Sequence, residues 1–213
     1  MTHLDSYATT KLQQWLRARV DPLGSEIKLL IEKLHEFGWQ VHSQGFDSIF
    51  RKKISFAAEG ATTVGLFESI ANLMCRGIGT SERAIAVKSL QETLFLCSDV
   101  DLNQSPSQVG KRLESYLELS GSKGLIRVFL SVHLSNLIFM DLHDSLQAAR
   151  LEMFQRRMEG IERLCQTTAG LSVRSWPKWP KLTPTTISSA IQLAGEEMRK
   201  AVNAKAHGAP PKS

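Results

Sequence analysis

The doubled triplet Trp176-Pro177-Lys178-Trp179-Pro180-Lys181 is the stretch of this sequence best equipped to meet a ligand. Each proline pushes the residue before it towards extended backbone, so the segment is expected to be non-helical. An extended strand bearing two indoles and two ammonium groups can stack on bases while its lysines meet phosphates. The same composition suits an anionic lipid surface or an aromatic-lined groove on a partner protein. The structural alternative is an ordered linker whose tryptophans plug the body of the protein, because one Trp buries about 150–250 Å². Charge singles out the same region. Residues 171–213 carry Arg174, Lys178, Lys181, Arg199, Lys200, Lys205 and Lys212 against only Glu196 and Glu197. The rest of the chain has 19 basic and 19 acidic side chains and sums to zero. Candidate binding residues are therefore Arg174, Trp176, Lys178, Trp179, Lys181, Arg199, Lys200 and Lys205.

Catalytic and metal-binding patterns are missing. Histidines 3, 35, 42, 133, 143 and 207 show no HxxxH or HExxH spacing, so no metal site is expected from them. Asp99 and Asp101 resemble the start of a calcium loop, but the sixth and twelfth positions are Gln104 and Gly110 rather than glycine and glutamate. A plain turn is the better reading. There is no GxxxxGK[ST], no strand-anchored GxGxxG and no GxSxG, and Gly77-Ile78-Gly79 reads as a turn between helices. Arg51-Lys52-Lys53 fans out over some 200° on a helix and makes no tight patch. Arg156 and Arg157 are expected to pair with Glu152, Glu159 or Glu162. Cys75, Cys97 and Cys165 form no CxxC pair and sit among apolar residues, which favours a reducing compartment. The expectation is a non-enzymatic protein with no cofactor, located inside the cell, in the cytoplasm.

The elements that must position these residues follow from apolar spacing of three and four, with no run of period two. Helices are expected over 4–20, with Tyr7, Leu12, Trp15 and Leu16 inward, and from Ser25 to a stop at Gly38. A short helix is expected around Phe46, Ile49, Phe50 and Phe56. Others follow over 64–76, from a cap at Thr80 or Ser81 to Cys97, and from the capping box Ser105-Pro106-Ser107-Gln108 to Gly121. A central apolar helix should occupy about 123–141, followed by one from a cap near Asp144 to Gly170. The last, from Pro184 to about Ala204, turns Ile187, Ile191, Ala194, Met198 and Val202 inward. Leu125–Leu142 has the length of a membrane span, but Arg127 and Asp141 each cost about 2.5–3.5 kcal/mol at a bilayer centre. A buried helix is the better reading, and neither a transmembrane segment nor a secretory signal is expected.

The fold class is thus all-α, a compact bundle of seven to eight helices. It divides into a body over 1–170, a Trp/Pro/Lys linker over 171–184, and a basic helix with a flexible tail over 185–213. The expected function is an intracellular binding or scaffold protein that acts through helix faces and the basic C-terminal segment. A protein partner is favoured. A nucleic-acid-associated structural protein of nucleocapsid or matrix type is the alternative, and a second copy of the chain is a further candidate partner. Three patches are also similar, in order, to catalytic domains of Ras-type guanine-nucleotide exchange factors. They are Glu82-Arg83-Ala84 with the helix running to 99–103, Phe129–Asp141 with Leu134-Ser135-Asn136-Leu137, and Phe154-Gln155-Arg156-Arg157. The stretch between the first two is much shorter than in that family. The resemblance implies an exchange domain lacking much of the family's helical hairpin.

Overall fold

Among the described residues, apolar side chains three and four apart produce eight helices and no strand. The computed structural model describes residues 4–19, 23, 26–53, 62–99, 104–147 and 151–206. In chain order the helices are α1 (Ser6–Ala18), α2 (Ile27–Gln44), α3 (Phe46–Lys53), α4 (Thr63–Met74), α5 (Thr80–Ser98), α6 (Pro106–Gln147), α7 (Leu151–Ser172) and α8 (Pro184–Ala206). The caps expected at Ser25, the residues Phe56 and Asp101, and the tail from 207 lie outside the described residues, as do the side chains of Phe50, Arg51–Lys53, Ser81 and Lys205.

The long helix α6 is the axis of the bundle and packs against α1, α2, α3, α4, α5 and α7. It begins at the capping box foreseen in the sequence: the Gln108 N–H donates to Ser105 Oγ (3.4 Å), and the Ser105 N–H donates back to Gln108 Oε1 (3.0 Å). By length and composition α6 could cross a membrane, but Leu125, Ile126, Phe129, Leu130, Leu134 and Ile138 are buried among the other helices. Helix α8 joins the same hydrophobic core, with Ile187, Ile191, Ala194, Met198 and Val202 all buried, and packs on α7, α1 and α2. The three thiols are buried and unpaired. Burial raises all three, Cys75 to about 11 and Cys97 to about 12, so they behave as small hydrophobes.

Several boundaries differ from the sequence expectation, each for a packing reason. Helix α2 does not stop at Gly38 but runs to Gln44 and ends at Gly45, whose positive φ of 79° favours glycine and whose N–H donates to the Val41 carbonyl (2.9 Å). Gly38 lies buried in mid-helix facing Leu117, Leu125 and Ser122 of α6, where a β-carbon would make ordinary van der Waals contacts at 3.4–3.6 Å, so the helix continues through it. Helix α5 starts from Gly79, without a side-chain cap from Thr80. Asp144 lies within α6 and Gly170 within α7, so neither marks a helix end. Tyr7, expected in the core, is 39% exposed; its hydroxyl donates to the Ser145 carbonyl (2.9 Å) and its ring carries the Arg157 guanidinium at 4.6 Å. Arg157 is buried and bonds Asp5 (2.7 Å), not a glutamate of its own helix; Glu159 pairs instead with Arg163.

Gly121 divides α6. Its backbone (φ 62°, ψ −171°) leaves the helical region, as the sequence suggested, yet the chain re-enters the helix at once and no loop intervenes. A β-carbon there would lie 2.1 Å from the Lys178 carbonyl oxygen. Gly121→Ala combines left-handed strain with backbone overlap, so it is expected to cost about 2–4 kcal/mol in urea unfolding. Gly170→Ala, where a β-carbon meets nothing within 4 Å, should be neutral or stabilising by up to about 1 kcal/mol. Equal effects for the two variants would contradict this account of the kink.

Candidate functional site

Two surfaces bring polar and exposed side chains together with half-buried apolar ones at the edge of the core. The larger is a groove of about 1090 Å³ between α5, α6 and α7. Its floor is one face of α6: Arg127, Val128, Ser131, Val132, Ser135, Asn136 and Phe139. These recur at spacings of four and one, as one helical stripe does, and span about 18 Å along the axis. Helix α5 lends Lys88, Glu92, Phe95 and Leu96 to one wall, and α7 lends Met158, Glu162, Gln166 and Gly170 to the other. Leu96 leaves 64% of its surface in water. The lining is mixed, with apolar side chains alternating with two cations and two carboxylates.

Polar contacts beneath the floor hold it in shape. Asn136 Nδ2 donates to Glu92 Oε2 (2.8 Å) and to Ser89 Oγ (3.2 Å). The buried His133 meets Ser89 Oγ through Nδ1 and the Leu23 carbonyl through Nε2, both at 3.2 Å. A carbonyl can only accept, so the neutral ring carries its proton on Nε2 and Nδ1 accepts from the serine hydroxyl. Ser89 is fully buried, which makes the pair a structural link between α5, α6 and Leu23 and keeps it from any substrate. Among the described residues no group of His, Cys, Asp and Glu could hold a metal ion. Asp99 meets Arg112 (3.5 Å) and ends α5 in the left-handed conformation; residues 100–103 of the expected turn lie outside the described residues.

The second surface lies where the Trp/Pro/Lys strap crosses the α6 kink. Lys123 holds the strap by its backbone: its N–H donates to the Lys178 carbonyl (3.2 Å), and its ammonium donates to the carbonyls of Arg174 (3.0 Å) and Trp176 (2.6 Å). The two indoles then part company. Trp176 is 8% exposed and belongs to the core. Trp179 is half-buried, stacks on His42 (4.6 Å between centroids, 26° between planes) and meets Trp39 edge-on (5.5 Å, 81°). Trp39 leaves 51% of its surface in water.

The sequence-selected residues fall in two places. Arg174, Lys178 and Lys181 are exposed around the strap, and none forms an ion pair among the described residues. Arg199 and Lys200 lie on α8, about 22 Å along the axis from Pro184, and Lys200 pairs with Glu197 (2.8 Å). The side chain of Lys205 is outside the described residues. The basic segment is therefore not one patch. Sequence reasoning missed the groove, although Arg127, Ser131 and Ser135 at spacing four on an otherwise apolar helix mark its floor. It also missed Trp39 and His42, three apart on α2, as companions of the strap. Comparison of the chain with protein-family models, curated proteins and solved structures gives no match.

Burial lowers the His133 pKa to about 4, against the backbone bond to Leu23 and the charge of Glu82, which raise it. The unfolded chain takes up this proton near pH 6.5, while the folded one resists until about 4. Stability from this group is full above pH 6.5 and falls as the pH drops towards 4. The loss should approach about 3 kcal/mol across the window. His35, also lowered by burial, adds in the same direction. Urea unfolding between pH 8 and 4 should show a shallower dependence for His133→Gln; an unchanged dependence would remove His133 as its source.

Proposed function

We propose that this is a binding protein that seats an amphipathic helix of a partner protein in the α5–α6–α7 groove. The observation that carries this reading is the open stripe of α6 flanked by two helices that both pack on it. A helix of about 10 Å diameter occupies on the order of 1400 Å³ over the 18 Å floor, the same order as the groove. Helices in globular proteins pack at about 8–10 Å between axes, and a fourth helix laid along this floor completes a local bundle. The lining also argues for a helix over a lipid chain or an aliphatic ligand. Arg127 and Glu162, which form no ion pair among the described residues, would be covered by an apolar ligand at a cost on the order of several kcal/mol each. A helix bearing charges beside its apolar stripe answers both kinds of lining.

The three patches that resemble exchange factors fall on α5, α6 and α7, the same elements, so small GTPases belong among the partners to be tested. In the third patch, however, Arg157 is engaged by Asp5 and Tyr7 and does not serve the surface.

A photo-crosslinking residue in place of Leu96, used in the native host, should trap one partner through a segment with helical apolar spacing. Ser135→Arg, which fills the floor with a long cation, should abolish the crosslink and leave the thermal midpoint within a few degrees. Crosslinks scattered over unrelated proteins, or a single partner retained by Ser135→Arg, would reject the groove as the docking site.

A further inference from the structure

The aromatic cluster at the strap is not needed by a helix-binding groove on α5, α6 and α7. We infer that Trp39, His42 and Trp179, with the exposed Lys178, Lys181 and Arg174 on the strap that carries Trp179, form a binding site for single-stranded nucleic acid.

Three observations converge on this assignment. The first is exposed π surface: Trp39 keeps about half its area in water, although tryptophan is highly buried on average. The indole is offered by a helix and not by a loop tip. The second is prior organisation. Trp179 is fixed by its stack on His42 and its edge contact with Trp39, and the strap itself is tied to α6 by three bonds from Lys123. Little ordering entropy remains to be lost when a base stacks. The third is charge. The segment 171–195 contains Arg174, Lys178 and Lys181 and no carboxylate, and those three cations have no ion-pair partner among the described residues. Glu36, one turn before Trp39, accepts a hydrogen bond from Gln40 (2.7 Å).

The chemistry selects the ligand. A polyanion alone would need the lysines but not the indoles. A duplex keeps its base faces stacked on one another and offers none to Trp39. A bilayer surface would call for several indoles projecting outward together, whereas Trp39 alone of the three is exposed: Trp179 is half-buried against His42 and Trp176 is buried. Unpaired bases on a phosphate backbone match both halves of the site: the flat faces meet Trp39, and the phosphates meet Lys178, Lys181 and Arg174.

The test is anisotropy of a fluorescein-labelled oligouridine titrated with the full chain at several salt concentrations. A duplex of equal length and phosphatidylserine vesicles serve as competitors. Three phosphate contacts give a slope of log K against log salt of about −2 for a single strand. Trp39→Ala should weaken binding about 5- to 150-fold with little change in slope, and Trp39→Phe should recover most of it. Lys178→Ala combined with Lys181→Ala should flatten the slope to about one third. Both lysines are exposed and Trp39 keeps half its surface in water, so unchanged thermal midpoints will separate lost binding from lost folding. Absence of binding at low salt overturns the assignment. So does equal affinity of wild type and Trp39→Ala, or equal competition by duplex or vesicles. Loss of this site leaves the groove reading untouched, because no residue is shared between them.

Discussion

The Lys178 carbonyl oxygen stands where a β-carbon of residue 121 would be, and the backbone N–H of Lys123 donates to it. Much of the tertiary structure depends on this junction. The kink at Gly121 frees amide groups in the middle of α6 that a straight helix would have used internally. One of them is satisfied by a carbonyl from a segment more than fifty residues away in sequence. The Lys123 ammonium then closes on two more carbonyls of that segment. Prolines 177 and 180 keep the strap extended, so its carbonyls remain open to receive these donors. Together these contacts fix where the chain leaves α7, and so where α8 can lie against α7, α1 and α2.

The same region holds α2 against the kink. Gly38 faces Leu117, Leu125 and Ser122 of α6, and His35 on the preceding turn reaches Ser122 Oγ at 2.7 Å. With α2 held this near, Trp39 and His42 come within reach of Trp179. The exposed aromatic cluster is a consequence of how the kink is packed. Beyond the kink, the outer face of α6 is left uncovered because α5 and α7 take its two sides. The buried link from Asn136 through Ser89 to His133 keeps that face level with its walls. One helix thus serves as core on one side and as floor of a groove on the other.

Much of this architecture is legible in the residues alone. Most of the helical segments, the capping box at Ser105, the break at Gly121 and the inward face of α8 follow from periodicity and local backbone preference, although the two helices expected over 105–121 and 123–141 join into α6. These are short-range properties, and burial confirms them in Leu12, Phe67, Leu113, Phe129, Ile187 and Met198. The expectations that failed depend on contacts between distant segments. Gly38 resembles a helix stop by its type, but its neighbours Leu117 and Leu125 are supplied by α6. Tyr7 shares the spacing of a core residue, yet Arg157 and Ser145 turn it to the surface. Trp176 and Trp179 occur in identical triplets, and no local rule tells which is buried.

The sequence by itself determined the helices, the all-α class and the concentration of positive charge after residue 170, because each arises from composition and from spacing within a few residues. Tertiary structure alone decided which cations stand together, which indole meets water and where α6 lies open. Those outcomes depend on how helices far apart in sequence divide the space around α6, and steric exclusion between them is a property of the assembled chain.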